Sequence, residues 1–310
     1  MAEPGGRAAP DFFVVGAPKA ATSSLHLFLR RHPGVFMCSP KEPHFFSTDL
    51  PGLAEVKTRD EYDALFAAAP PGALRGEASA FYLRSETAAA TIHAANPDAK
   101  IVLSIREPVA ASISWYHQLR DGFREDQPSF AASWNLQEAR AGGERLPPYC
   151  PEPAQLQYRT IYEYAPQIAR YLDTFGPDRV KIFRFERIKA NPRGVAAELL
   201  RFLGLPPPPE GAEIGETNTR RKPLLPGLTQ FLAAPPRPLR PLVAPAKRAF
   251  NALGVKPSEL VMKHLSRPAS PGASGSAVDP ETRTRVKAAF ALGIDRLEAL
   301  LGEDFSAWRT

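Results

Sequence analysis

Short apolar runs alternate with amphipathic stretches along the first two thirds of the chain. The apolar runs predict buried strands at 11–17, 35–38, 72–78, 100–108 and 178–186. Helical spacing of apolar positions between them predicts helices at 21–31, 59–69, 85–95, 108–120, 128–142, 155–175 and 191–204. Because strands that alternate with helices form parallel sheets, the pattern predicts an α/β fold.

Proline, glycine and asparagine mark the ends of several predicted helices. Asn191 is expected to cap the helix 191–204, which Pro192 opens and Gly204 terminates. Pro166 is expected to kink the long helix 155–175.

The amino-acid composition of the chain changes after residue 205. The segment 205–275 is rich in Pro, Arg and Ala, and a long amphipathic helix is predicted at 279–302. We therefore expect one main domain over 11–230, and a helical C-terminal extension over 231–310 that packs on the same domain.

Composition narrows the functional classes. The net charge of +6 and the pI of about 9.4 favour an anionic ligand, and no Lys/Arg run suggests nucleic-acid binding. Cys38 and Cys150 are expected to be free thiols. No window holds the ~18 apolar residues of a membrane span, and residues 1–13 lack the apolar core of a secretory signal. These features predict a soluble cytoplasmic protein with no membrane span, and they leave its oligomeric state open.

Candidate chemistry begins at the end of the first predicted strand, in the stretch "GAPKAATSSL". A helix N-terminus offers unpaired amides and a partial positive charge, small residues allow close approach to an anion, and Lys19 adds a cation. Hydroxyls follow at Thr22, Ser23 and Ser24, and they could donate to an anion or cap the helix. On these residues alone, a phosphate-binding loop and an ordinary strand-to-helix turn both remain open.

The stretch is not a Walker P-loop. That motif requires G-x-x-x-x-G-K-[ST], whereas Gly16 precedes Lys19 by three residues and no second glycine stands before the lysine. The departure favours a nucleotide donor that is used without a metal ion.

The segment "FFVVGAPKAATSSLHLFLRRHPGV", followed by "KEPHFFS", resembles the sulfotransferase family that uses 3′-phosphoadenosine 5′-phosphosulfate (PAPS), and its bacterial and heparan-type branches most. The resemblance implies a P-loop-like, three-layer sandwich with a central parallel sheet flanked by helices. It places the 5′-phosphosulfate ligands at Lys19, Ala20, Ala21, Thr22, Ser23 and Ser24.

A second stretch, "VLSIREPVAASISWY", resembles the family segment that binds the 3′-phosphate. Its phosphate ligands would be Arg106, at the end of a predicted strand, and Ser114, about two turns along the next helix. Glu107 stands where the family usually has Asp. The alternative role for Arg106 is a surface ion pair with Glu107 or another neighbour.

Sulfuryl transfer needs a base for the acceptor hydroxyl and a cation at the leaving group. The resemblance to heparan-type enzymes assigns the base to Glu42 and the cation to Lys19, with His44 as the alternative base. Glu77 lies near the end of the third predicted strand and could orient Lys19, contact the acceptor or form an ordinary ion pair. The later stretch "NTRRKP" resembles a loop that closes over the donor and offers Arg220, Arg221 and Lys222.

The sequence therefore predicts a metal-independent sulfotransferase with PAPS as co-substrate and PAP as product. The acceptor is expected to be a hydroxyl of a carbohydrate, a lipid or a small natural product. A nucleotide-dependent kinase of related fold and an inactive nucleotide-binding protein remain as alternatives.

Overall fold

The computed structural model describes residues 9–209, 211–215, 221–223, 266–268 and 278–309. The chain divides into two compact units. The first comprises Met1–Trp115, Glu152–Asn218 and Pro280–Thr310, and the second comprises Tyr116–Pro151 and Thr219–Asp279.

A five-stranded sheet forms the centre of the first unit. Its strands are β1 (Phe12–Gly16), β2 (Val35–Met37), β3 (Leu74–Ala78), β4 (Lys100–Ile105) and β5 (Val180–Arg184). Every pairing is parallel, and the strand order is β2-β3-β1-β4-β5. The carboxyl ends of all five strands therefore lie at one edge of the sheet, with β1 in the middle.

Helices alternate with the strands along the chain. They are α1 (Thr22–Arg30), α2 (Arg59–Ala64), α3 (Ala88–Ala95), α4 (Pro108–Asp121), α5 (Phe130–Asn135), α6 (Gln137–Ala141), α7 (Tyr158–Ile161), α8 (Tyr164–Phe175), α9 (Phe185–Ala190), α10 (Pro192–Leu203) and α11 (Pro280–Leu301). Short 3-10 turns lie at Pro51–Leu53, Pro153–Leu156, Pro177–Arg179 and Ser306–Trp308.

The apolar core lies on both faces of the sheet. On one face, Phe12 and Val14 of β1 share a buried cluster with apolar residues of α1 and α10. Since successive strand residues point to opposite faces, Phe13 and Val15 face the other layer, where α8 packs on β4 and β5 and contacts α3 and α11. This is a three-layer sandwich with a central parallel sheet, and it confirms the predicted fold class.

The second unit contains α5 and α6 and is held by a buried ion pair. The Arg140 guanidinium donates to both carboxylate oxygens of Glu125 at 2.7 and 2.8 Å, and both side chains are fully buried. A two-stranded antiparallel sheet in this unit pairs β6 (Arg221–Pro223) with β7 (Ser266–Pro268).

Several predicted boundaries need correction. The long helix expected at 155–175 is interrupted at Tyr162 and Glu163, where the backbone leaves helical geometry, and Pro166 lies in the first turn of α8, where a proline is tolerated. The helix expected at 128–142 is two short helices, α5 and α6. At α10 the prediction is confirmed, because the Asn191 side chain accepts the Gly194 amide at 2.9 Å and Gly204 adopts the left-handed conformation.

Two expectations stay predictions. The domain boundary at residue 230 lies outside the described residues, and so does most of the 231–277 segment. Across the ranges that the structure describes, no helix is both long and apolar enough to cross a membrane. The cytoplasmic location stays a prediction.

Candidate functional site

The loops that follow β1, β2, β3 and β4 meet at the carboxyl edge of the sheet. The Ala17 amide donates to the Ser104 carbonyl at 2.6 Å, and the Glu42 amide donates to the Ala78 carbonyl at 3.0 Å. Gly16 ends β1, and a Cβ there would lie 2.5 Å from the Leu83 Cβ. Only glycine therefore fits this crossing, which brings the loops together where open parallel sheets bind ligands.

The loop between β1 and α1 has an unusual backbone. Lys19 and Ala21 have φ values of 64° and 72°, in the left-handed region that residues other than glycine rarely adopt. Ala21 is the N-cap of α1 and has no side-chain oxygen, so no side chain caps the helix. The expectation that a hydroxyl of the loop caps α1 is therefore wrong. The positive end of the helix is left for another acceptor.

Three consecutive carbonyls of this loop are held by side chains from other elements. The Pro18 carbonyl accepts from the Tyr162 hydroxyl at 3.3 Å, and the Lys19 carbonyl accepts from Arg106 Nη1 at 3.2 Å. The Ala20 carbonyl accepts from the buried Ser104 hydroxyl of β4. Because a planar trans peptide directs its N–H opposite to its C=O, these bonds turn the amides of Lys19 and Ala21 to the other side of the loop. Backbone amides that converge in this way form a concavity with the donor pattern that anions require.

The predicted amide and hydroxyl donors of the loop differ in their burial and in their hydrogen bonds. The Ala20 amide donates to the Ala17 carbonyl at 3.2 Å, inside the loop. Thr22 and Ser24 are buried in the first turn of α1, and Ser23 is half-buried there. The half-buried Lys19 completes the loop.

Arg106 lies directly after β4, beside the loop. Its guanidinium stacks on the Phe185 ring at 4.3 Å, and it forms no ion pair with any described residue. Glu107 instead caps α4, since its carboxylate accepts the amides of Val109 at 2.8 Å and Ala110 at 2.6 Å. The alternative of an Arg106–Glu107 ion pair is therefore wrong, and the guanidinium keeps donors for an anion.

The remaining predicted donor ligands are only partly described. Ser114 is half-buried on α4, eight residues after Arg106. Arg220 lies outside the described residues, and only the backbone of Arg221 and Lys222, in β6, is described. Their roles stay predictions.

The loop after β2 carries both candidate bases. Glu42 forms an ion pair with Lys41, and its Oε2 lies 3.7 Å from His44 Nε2. The Glu42 side chain is 41% exposed, whereas that of His44 is 5% exposed. An acceptor can therefore reach Glu42 far more easily than His44.

The charges around Glu42 favour its ionised form. Burial acts to raise the pKa of this carboxyl, but the Lys41 ammonium and the His44 side chain together hold the pKa well below its usual range. His26 of α1 lies near the same group, and burial together with the charges of Lys41 and Arg30 lowers the pKa of its imidazole to about 4. The Glu42 carboxylate thus has the Lys41 ammonium and the buried imidazoles of His26 and His44 as neighbours.

Sequence reasoning missed the residues that support the loop between β1 and α1. Ser104 is a hydroxyl residue that interrupts the apolar run of the strand "KIVLSI", and this interruption is the signal that could have found it. Tyr162 is 1% exposed, and its hydroxyl donates to the loop. Its contact joins residues 144 positions apart, and no local pattern encodes such a pair.

No group of three or more His, Cys, Asp or Glu residues able to hold a metal ion occurs in the part of the chain that the structure describes.

The site can be compared with known proteins. A family model described as "Sulfotransferase domain" matches residues 9–220. Among solved structures, the sulfotransferase from Alicyclobacillus acidocaldarius is 28% identical, with a TM-score of 0.69 over 98% of this chain and 100% of that one.

Two human proteins are similar over 203 residues. The heparan sulfate glucosamine 3-O-sulfotransferase 6 is 32% identical over 65% of this chain and 54% of its own length. The bifunctional heparan sulfate N-deacetylase/N-sulfotransferase 3 is 29% identical over 64% of this chain and 22% of its own length. The chain thus spans about half of one relative and about a fifth of the other.

Proposed function

The chain belongs to the sulfotransferase domain family, and from this premise we propose that it transfers a sulfuryl group from PAPS to an acceptor hydroxyl without a metal ion. The observation that carries the proposal is the loop between β1 and α1, whose carbonyls are held away from an uncapped helix N-terminus beside Lys19. Such a loop suits the 5′-phosphosulfate of the donor.

Arg106 is the proposed ligand of the 3′-phosphate, at the other end of the donor. A guanidinium with no ion-pair partner among the described residues, fixed on the Phe185 ring, suits the 3′-phosphate. Arg106 also holds the Lys19 carbonyl, so one side chain links the two phosphate sites.

Glu42 is the proposed base. The acceptor oxygen forms a bond to sulfur while the bond between sulfur and the bridging phosphate oxygen breaks. Glu42 takes the acceptor proton, PAP leaves with the electron pair of the broken bond, and Lys19 neutralises the developing charge. The chemical class of the acceptor stays as predicted, a hydroxyl of a carbohydrate, a lipid or a small natural product.

Calorimetric titration with PAP, with and without Mg²⁺, tests the donor site. We expect micromolar binding that does not depend on Mg²⁺. Lys19→Ala and Arg106→Ala should each weaken it roughly 10- to 100-fold, because each removes a charged hydrogen-bond donor. Transfer of labelled sulfate from PAPS to a panel of sugar, lipid and phenolic hydroxyls then tests turnover.

Matched controls are Lys57→Ala and Arg179→Ala, which remove exposed cations elsewhere. Wild-type PAP affinity in both site variants would overturn the donor site. Binding of ATP only with Mg²⁺ would favour the kinase, and PAP binding without transfer to any acceptor would favour an inactive nucleotide-binding protein.

A further inference from the structure

Glu77 is a charged residue at the carboxyl end of β3 with no exposed surface. It forms no ion pair within the residues that the structure describes, so the expectation of an ordinary ion pair is wrong. Burying a carboxylate without a cation is costly, so its position needs a physical reason.

Hydroxyl groups solvate the buried carboxylate. The Tyr62 hydroxyl donates to Oε2 at 2.5 Å, and the Ser79 hydroxyl donates to Oε1 at 2.7 Å. The Tyr82 hydroxyl lies near the same carboxylate and also acts to lower its pKa. Burial raises the pKa of Glu77, and these donors act in the opposite direction.

Two of these hydroxyls also accept bonds from the loop that carries the candidate base. The Ser79 oxygen accepts the His44 amide at 3.2 Å, and the Tyr82 oxygen accepts the Phe46 amide at 3.1 Å. A hydroxyl that donates its proton to a carboxylate presents its lone pairs to other donors. Because Glu77 only accepts hydrogen bonds, the hydroxyls beside it direct their protons toward the carboxylate and their lone pairs toward the His44 and Phe46 amides.

The loop needs this support because its backbone is strained. Glu42 and His44 have φ values of 65° and 52°, in the left-handed region that residues other than glycine rarely adopt. Two hydrogen bonds that converge on Glu77 hold the segment immediately after Glu42 in this conformation.

We infer that Glu77 is a positioning residue, which acts through Ser79 and Tyr82 to hold the 42–46 loop and so to aim Glu42 at the acceptor. Its role rests on the proposed function, in which Glu42 is the base. It differs from the alternatives that Glu77 orients Lys19 or contacts the acceptor, because it predicts loss of loop order and turnover with donor affinity kept.

Amide hydrogen exchange measures the order of the loop and needs no turnover. In Glu77→Gln an NH₂ group replaces one carboxylate oxygen, so one hydroxyl that donated to Glu77 must now accept instead. Because this competes with the loop amides for the hydroxyl oxygens, we expect the His44 and Phe46 amides to exchange about tenfold faster. Ser79→Ala removes the bond to the His44 amide together with the bond that Ser79 donates to Glu77, and it leaves the Tyr82 hydroxyl in place, so it should accelerate His44 more than Phe46. PAP affinity should change less than about twofold in both variants, while kcat falls at least about tenfold.

Tyr62→Phe is the matched control. This variant removes the hydroxyl that donates to Glu77 Oε2 and keeps the ring that stacks on Phe45 at 4.6 Å. In wild type, the hydrogen bond of this hydroxyl goes to Glu77 and not to the loop backbone. We expect its loop exchange within about threefold of wild type.

Unchanged loop exchange in both Glu77→Gln and Ser79→Ala would overturn the inference, as would a loss of PAP affinity equal to the loss of kcat. If Glu77→Gln fails to fold, Ser79→Ala decides. Should no acceptor be sulfated at all, the proposed function fails while the exchange experiment still reports on the loop.

Discussion

At the scale of single residues, the contacts of Glu42 decide how it can act. A general base works best when its pKa lies near the working pH, yet Lys41 and His44 hold the pKa of Glu42 below its usual range. Glu42 is therefore fully ionised at neutral pH but weakly basic. An acceptor that draws Lys41 away would strengthen the base in the step that needs it.

Turnover of Lys41→Met tests this coupling. The base must be ionised, so rate is lost as pH falls through its pKa. Wild type should keep its rate down to about pH 5 or below, whereas without Lys41 the pKa of Glu42 rises and the acid limb moves to higher pH. The measurement is kcat against pH with a sulfated acceptor.

Glu42→Gln and His44→Asn separate the two candidate bases. We expect a fall of roughly 10²- to 10⁴-fold in kcat for Glu42→Gln, with PAP affinity kept. His44→Asn should cost less. A larger loss in His44→Asn, or a wild-type acid limb near neutral pH, would assign the base to the imidazole.

At the scale of elements, the junction of β1 with α1 combines two left-handed residues with a helix start. Alanine at such a position costs energy that glycine does not, whereas glycine at an ordinary position adds entropy to the unfolded chain. Ala20 and Ala21 are adjacent and buried, and only Ala21 has a positive φ. They form a natural pair for comparison.

Ala21→Gly should stabilise the protein by about 1 kcal/mol and leave PAP affinity unchanged. Ala20→Gly should destabilise it by about 0.4–1 kcal/mol. Urea unfolding of both variants measures the difference. Equal destabilisation by the two substitutions would show that the left-handed conformation at Ala21 is not kept in solution.

At the scale of the whole molecule, the described part of the second unit contains a buried ion pair, Glu125 with Arg140. Burial alone would raise the pKa of Glu125, but hydrogen bonds from Arg140 and Ser133 lower it overall. A lowered pKa in the folded state means that the pair stabilises the protein above the ordinary glutamate value, about 4.3, and that this stabilisation is lost as pH falls.

Arg140→Met should cost about 3–5 kcal/mol near neutral pH, because it leaves a buried carboxylate without its partner. The deficit relative to wild type should shrink as pH approaches about 4 and Glu125 takes up a proton. Arg179→Met, which breaks the exposed pair with Asp98, is the control and should cost less than ~0.5 kcal/mol. Urea unfolding at both pH values measures the deficit, and a deficit independent of pH would contradict the account.

Local patterns in the sequence determined the elements of this protein and much of its chemistry. Alternation of apolar runs with amphipathic stretches predicted the parallel sheet and its helices, because side-chain periodicity follows directly from backbone geometry. The motifs around Lys19 and Arg106 predicted that these residues follow two strands of one sheet, and the structure brings Arg106 onto the Lys19 carbonyl.

Only the tertiary structure decided how these residues are held. The support of Pro18 by Tyr162, and of His44 by Glu77 through Ser79, joins distant segments, and nothing in their local sequence specifies such contacts. The exposure of Glu42 beside a buried His44 was equally unreadable, because both follow the same strand two residues apart. The sequence determines which chemical groups are present. Packing determines which groups lie beside them and how deeply they are buried, and these two factors set their pKa values.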